Sequence, residues 1–174
     1  MAQYCNPTHN LKTFRDLVNL DKRAVEVEVL PVVDSAYRAR EVRVFATEGE
    51  GTDRYPWQEL SEPYRRHKAI HRPGRKILVW DGNMRAAFTT TNNDHVAYAY
   101  SNQGAWRLVI GGRGPSWWRS HAEGIPPMPK RDPQQSGPLL IREMQKATRR
   151  ALVPRINRLG KAFVTAMRVR SKGA

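Results

Sequence analysis

The residues of this 174-residue chain with the means for chemistry are five histidines, two turn-flanking aspartates, a glycine cluster and one cysteine. His67 and His71 stand four apart, the spacing at which one helix face presents two imidazoles to a metal. No glutamate lies between them as a zinc protease requires, and Pro73-Gly74 follows at once, so a solvated basic loop is the simpler reading. Gly111-Gly112-Arg113-Gly114 has the glycines of a phosphate cradle. It lacks both the Lys-Ser/Thr ending of a P-loop and the spacing of a dinucleotide fold. Asp81 and Asp94 flank a β-prone stretch and are candidates for paired carboxylates, but aspartates in turns bond nearby backbone amides, which accounts for both. Cys5 is the only cysteine, so the chain has no internal disulfide and no cysteine-based zinc cluster. No Gly-x-Ser-x-Gly elbow occurs, and the 16 acids cluster largely before Asp53, leaving few for a nuclease metal. The expectation is no enzyme, no cofactor and no metal.

Charge is the second source of function. The formal net charge is +14, and from Ile125 onward twelve bases face only Asp132 and Glu143, so +10 of it sits at the carboxyl end. Such a block meets phosphate, an acidic protein surface or solvent. Within it, Lys146, Arg149, Arg150, Arg155 and Arg158 are placed to touch phosphates without reading bases. RNP aromatics, zinc fingers and KH loops are absent from the sequence. The apolar runs are too short to span a bilayer, and Met1 to Pro7 has neither the basic nor the apolar part of a signal peptide. The expectation is assembly in a cytoplasm, with no membrane partner.

The elements that position these residues follow from periodicity. Leu11, Phe14, Leu17, Val18 and Leu20 have helical spacing, with Asn10 or Thr8 as cap. Val25, Val29, Val33, Tyr37 and Val44 recur at three and four residues and predict a long helix ending near Phe45. Val25-Glu26-Val27-Glu28-Val29 also alternates like a strand, and Pro31 removes a donor, so the helix is expected to start or kink around Pro31. Glu48 to Asp53 reads as a loop, and Tyr64 to Ile70 as a short helix with Ser61 as cap. Ile77 to Trp80 reads as a buried strand, Asp81-Gly82 as a turn, Phe88 to Thr91 as β-prone, and His95 to Tyr100 as a strand. A short strand is expected around Leu108-Val109-Ile110, and the rest of Gly104 to Gly124 as an extended loop or hairpin arm. Trp117 and Trp118 either present their rings there or fold back onto their own core. A helix is expected from Leu139 to Val153 with Leu140, Met144, Ala147 and Ala151 on one face, broken at Pro154. Ile156, Leu159, Phe163 and Met167 continue an apolar stripe beyond it. The fold class is therefore α+β: an amino-terminal long helix, a small antiparallel sheet with an arm, and carboxyl-terminal helices. Residues 1–153 form one domain, and 154–174 a basic amphipathic extension.

Four motifs occur in order. They are Trp57-x-x-Leu60-x-x-x-Tyr64-x-x-x-Lys68; Ile77-Leu78-Val79-Trp80-Asp81-Gly82-Asn83-Met84-Arg85; Tyr98-Ala99 leading to Asn102-Gln103-Gly104; and Ile125-Pro126-Pro127-Met128-Pro129. In this order they resemble the phage virion morphogenesis family of tail-completion and neck proteins, over roughly Phe45 to Val153. Here Asp81 stands for that family's threonine, Met84 for its leucine, Asn102 for its histidine and Met128 for its arginine. The resemblance implies a structural virion protein at the head–tail junction, a neck, tail-completion or tail-terminator ring of six or twelve copies. Its partners would be connector and tail-tube or sheath proteins, with DNA passing through in transient contact. A closed ring needs two different adhesive surfaces on each subunit. Trp106, Arg113, Trp117 and Trp118 on the arm, with Phe163 and Met167 at the carboxyl end, are the expected interface, and Arg149, Arg150, Arg155 and Arg158 the expected lumen residues. The alternative is a basic, non-sequence-specific nucleic-acid-binding protein.

Overall fold

The computed structural model describes residues 9–10, 22–50, 57–103, 105–114, 118–124, 129, 131 and 137–172, with backbone alone at 9–10, 119, 122, 159–160 and 162–172. Strand β1 (His9–Asn10) is followed by a long helix, α1, made of Lys22–Ala24, a π-helical turn Val25–Val29 and Leu30–Ala46. Then come α2 (Glu62–His71), α3 (Asn83–Thr89), the strands β2 (His95–Asn102) and β3 (Ala105–Gly112), α4 (Trp118–Glu123) and α5 (Pro138–Lys172). This is an α+β fold with a long helix near each end of the described chain. The predicted helix over 11–20 lies outside the described residues, and Asn10, expected as its cap, instead pairs with Arg107 of β3.

The π turn settles the ambiguity of Val25 to Val29. Pro31 has no amide hydrogen, and its ring crowds the carbonyl four residues back. Widening one turn relieves that crowding, and the Leu30 amide bonds Val25 oxygen, five residues back. Helical geometry then buries Val25 and Val29 completely and leaves Val27 65% exposed, so the alternation is that of two helix faces.

α1 packs along α5 and across the sheet, and one core joins all three: Val29, Val33 and Tyr37 from α1, Leu108 and Ile110 from β3, and Leu140, Met144 and Ala147 from α5. A second core lies at the far end of α1, where Phe45 meets Trp57, Leu78, Met84, Phe88 and Trp118. β2 and β3 form an antiparallel hairpin paired from His95↔Gly112 to Asn102↔Ala105, with β1 on the other edge of β3.

Three sequence expectations are corrected, and the two readings of Trp118 are resolved. Ile77 to Trp80 is a tight turn, not a strand. Three adjacent apolar side chains, Ile77, Leu78 and Val79, are all buried on the second core, which an alternating strand cannot do on one face. Leu78 takes φ 59° to achieve this. Phe88-Thr89 belongs to a helix, because Met84, Ala87 and Phe88 at i, i+3 and i+4 all reach the core. Thr89 and Thr90 hydroxyls donate to Arg85 and Ala86 carbonyls at 2.8 Å, which lets β-branched residues close the helix. Trp118 is on a short helix within the second core rather than on an exposed arm. α5 runs unbroken through Pro154. That proline sits on an exposed face, where water can serve the carbonyl it leaves unbonded. Glu28 of α1 holds the next turn, accepting from Arg155 Nη1 at 3.2 Å and Arg158 Nη2 at 3.3 Å.

Candidate functional site

Two of the four resemblance motifs meet at one cleft. Leu60, Tyr64 and Lys68 from the first motif, Leu78, Val79 and Trp80 from the second, and His121 and Arg131 from downstream line about 40 Å³ of free volume. Local chemistry explains the convergence. Ser61-Glu62-Pro63 starts α2, and after Asp81 the chain turns helical again because Asp81 Oδ1 accepts the Asn83 amide at 3.0 Å and Gly82 adopts φ 98°. Between these helices the 77–80 turn is pinned from both sides. The Ile77 amide donates to Glu48 Oε1 at 2.6 Å, and Lys68 Nζ donates to the Lys76 carbonyl at 2.5 Å.

Lys68 and Arg131 are 5% and 4% exposed, which is rare for cations and costs free energy unless their donors are used. They are used. Arg131 Nε donates to Gln58 oxygen at 2.7 Å and Nη2 to Glu59 oxygen at 2.8 Å, while the Arg131 amide bonds His121 oxygen at 2.8 Å. Burial lowers the Lys68 pKa, opposed by the Glu48 carboxylate and reinforced by Arg131. Burial, and then Arg131, lowers that of His121 as well. Burial also lowers the pKa of Arg131, with Tyr64 acting against it. The cleft is the size of a water site, and its cations already hold backbone carbonyls. Among the described residues no serine, threonine, cysteine or carboxylate lines it. It straps four segments together.

At the mouth, His67 stacks on Trp80 with centroids 5.7 Å apart, beside Tyr64, and Arg72 lies 5.3 Å over the Trp80 ring. His67 and His71 do share a helix face, with centroids 4.3 Å apart. Among the described residues no group of three or more His, Cys, Asp or Glu is placed to hold a metal ion. A second buried polar cluster escapes the sequence entirely: His95 Nε2 lies 2.6 Å from Asp34 Oδ1, His95 Nδ1 lies 3.3 Å from Ala87 oxygen, and Arg38 Nε donates to Asp34 Oδ2 at 3.0 Å. It ties α1 to β2 and α3. Asp34 stands beside Val33 on the buried side of α1, but its partner lies sixty-one positions away.

The glycine cluster is a packing device. A Cβ at Gly112 would sit 2.6 Å from the Ala87 carbonyl oxygen, and one at Gly114 2.7 Å from Trp118 Cγ. Asp81 accepts the Asn83 amide in the turn leading into α3, and Asp94 lies in the turn before β2, where its carbonyl accepts the Arg113 amide at 2.6 Å.

Of the expected interface residues, Trp106 is half-buried against the first core and Trp118 is 9% exposed, its ring 5.9 Å from Phe88. Both rings pack on cores of their own subunit, which for Trp118 is the fold-back reading of the two the sequence left open. Arg113 is exposed, while Trp117 and the side chains of Phe163 and Met167 lie outside the described residues. Of the expected lumen residues, Arg149 and Arg150 are exposed, and with Arg142 and Lys146 they form a basic stripe on the side of α5 opposite Leu140, Met144 and Ala147. Arg155 and Arg158 are engaged by Glu28, with Arg158 still largely exposed. No helix among the described residues is long and apolar enough to cross a membrane. No family model matches the chain, and no match is found among curated proteins or solved structures.

Proposed function

We propose that this chain is a structural phage virion protein of the head–tail junction, a neck or tail-completion ring subunit that joins tail to head and lets DNA pass. The observation that carries the proposal is the fate of the ordered motifs. Side chains of the first two meet in one cleft whose polar groups hold backbone together, the behaviour of a scaffold rather than a reaction centre. In this reading the exposed stripe of Arg142, Lys146, Arg149 and Arg150 faces the lumen, and Arg155 and Arg158 serve the fold. Contact with DNA through the stripe is loose, since a tight salt-dependent grip would impede passage.

The test uses the purified full-length chain, studied by sedimentation velocity and negative-stain microscopy alone and with connector or tail-tube proteins of the same particle. Closed rings support the reading. A monomer that never enters rings but binds DNA tightly and with steep salt dependence replaces it with the nucleic-acid-binding alternative. In that case, neutralising the four stripe residues to glutamine flattens the salt slope by about 0.9 for each phosphate no longer neutralised.

A further inference from the structure

β2 is an edge strand, since β3 lies between it and β1. Soluble proteins blunt such edges with charge, proline, bulges or a covering element. β2 has none of the first three. His95 to Asn102 contains no Lys, Arg, Asp, Glu or Pro, and its pairing with β3 runs residue for residue without a bulge. Among the described residues, the backbone from Val96 to Asn102 makes no hydrogen bond beyond the β3 ladder. Ala97 and Ala99 face the first core, while Tyr98 and Tyr100 point the other way, 47% and 37% exposed, with ring centroids 6.2 Å apart.

We propose that this edge pairs with the same edge of a second copy, β2 to β2, antiparallel about a two-fold axis at Ala99. Three features select a second copy as the occupant. The run from His95 to Trp106 is the longest in the chain without an acidic residue, lysine or arginine, so on a chain of net charge +14 it is where two copies approach with least repulsion. The strand is self-complementary: symmetry about Ala99 sets Tyr98 opposite the partner's Tyr100, and Ala97 opposite the partner's Ser101. All four tyrosines then share one face, and aromatic cross-strand pairs are favourable. Register is also enforced. A slip of one residue would set each tyrosine against the face that packs on the helices. Arg107, which pairs with Tyr100 in β3, lies one strand in from this seam.

The pairing does not depend on the virion reading, and its test separates the two. The full-length chain is compared with Tyr98→Lys/Tyr100→Lys by sedimentation velocity, with circular dichroism and melting temperature confirming that the variant folds. The parent chain is expected to contain dimers, and the double variant to raise their dissociation constant at least about tenfold, because like charges then face each other across the seam. In a Cys5→Ser background, an equimolar mixture of Tyr98→Cys and Tyr100→Cys chains is expected to form mixed disulfides under mild oxidation well beyond either chain alone. A parent chain that stays monomeric at roughly 100 µM overturns the pairing. So does a folded double-lysine variant with unchanged association, or cross-linking no greater in the mixture. The two-fold seam is not the head-to-tail contact of a ring, so a double-lysine variant that loses dimers yet still forms rings supports the seam and leaves the neck reading standing.

Discussion

Replacing Arg131 tests whether the cleft is a strap. Its guanidinium is 4% exposed and donates at 2.7 and 2.8 Å to the carbonyls of Gln58 and Glu59, which lead into α2. Hydrogen bonds to a charged group contribute about 1.5–3 kcal/mol each. Arg131→Met removes both and leaves two carbonyls short of a donor, while relieving the desolvation of a buried cation, which returns part of the loss. A net destabilisation of about 3 kcal/mol follows, or roughly 6–12 °C in melting temperature for a chain of this size. Arg131→Lys should recover little, because an ammonium cannot span two carbonyls with the planar fork. Thermal and urea denaturation followed by circular dichroism read the loss, and hydrogen exchange should localise it to α2 and the 77–80 turn. DNA affinity should not change. A loss under about 1 kcal/mol, or a fall in DNA binding without a loss of stability, would refute the strap and return Arg131 to the phosphate-binding block.

Glu28→Gln should cost at most about 1 kcal/mol, because Arg158 is largely exposed, yet it should speed amide exchange in α5 after Pro154. Unchanged exchange there would mean that Glu28 does not hold the helix across its proline. Gly112→Ala should destabilise by about 2–3 kcal/mol, since the new methyl meets the Ala87 backbone and Phe88 ring, and equal stability by denaturation would contradict the tight α3–β3 contact. His121 binds its proton less readily folded than unfolded, because of burial and then Arg131. The unfolded chain therefore takes up more protons as pH falls below the ordinary value near 6.5, and stability from this group, full above that pH, declines toward the lowered folded value. Melting temperature should fall between about pH 7.5 and 5.5, and His121→Gln should reduce that slope; an identical slope would remove His121 as a source.

Much of the architecture is legible in the sequence because it rests on local periodicity. Val25, Val29, Val33 and Tyr37, and Leu140, Met144 and Ala147, mark their helix faces unaided, and His95 to Tyr100 reads as the strand it is. The misreadings share a cause: short segments whose structure is set by distant partners. Ile77 to Val79 look like a strand until Phe45 and Trp57 supply a core that takes all three side chains. Phe88-Thr89 has strand composition but is helical because Met84 and Phe88 must reach that same core. Trp118 reads equally well as an arm or as core until Phe88 is seen beside it. In the cleft, the motif spacing places Tyr64 and Lys68 on one side of α2, whereas Arg131 is one base among many until its seventy-residue reach to Gln58 and Glu59 is known. The same holds for Arg155, whose partner Glu28 is at the other end of the chain.

The central claim, a structural place at the head–tail junction, is tested most directly by cryo-electron microscopy of intact particles with this chain fitted to the map. The account predicts a ring of copies between connector and tail tube, with Arg149 and Arg150 toward the channel. Particles with a complete neck and no density for this chain, or a ring presenting the α5 stripe outward, would contradict it.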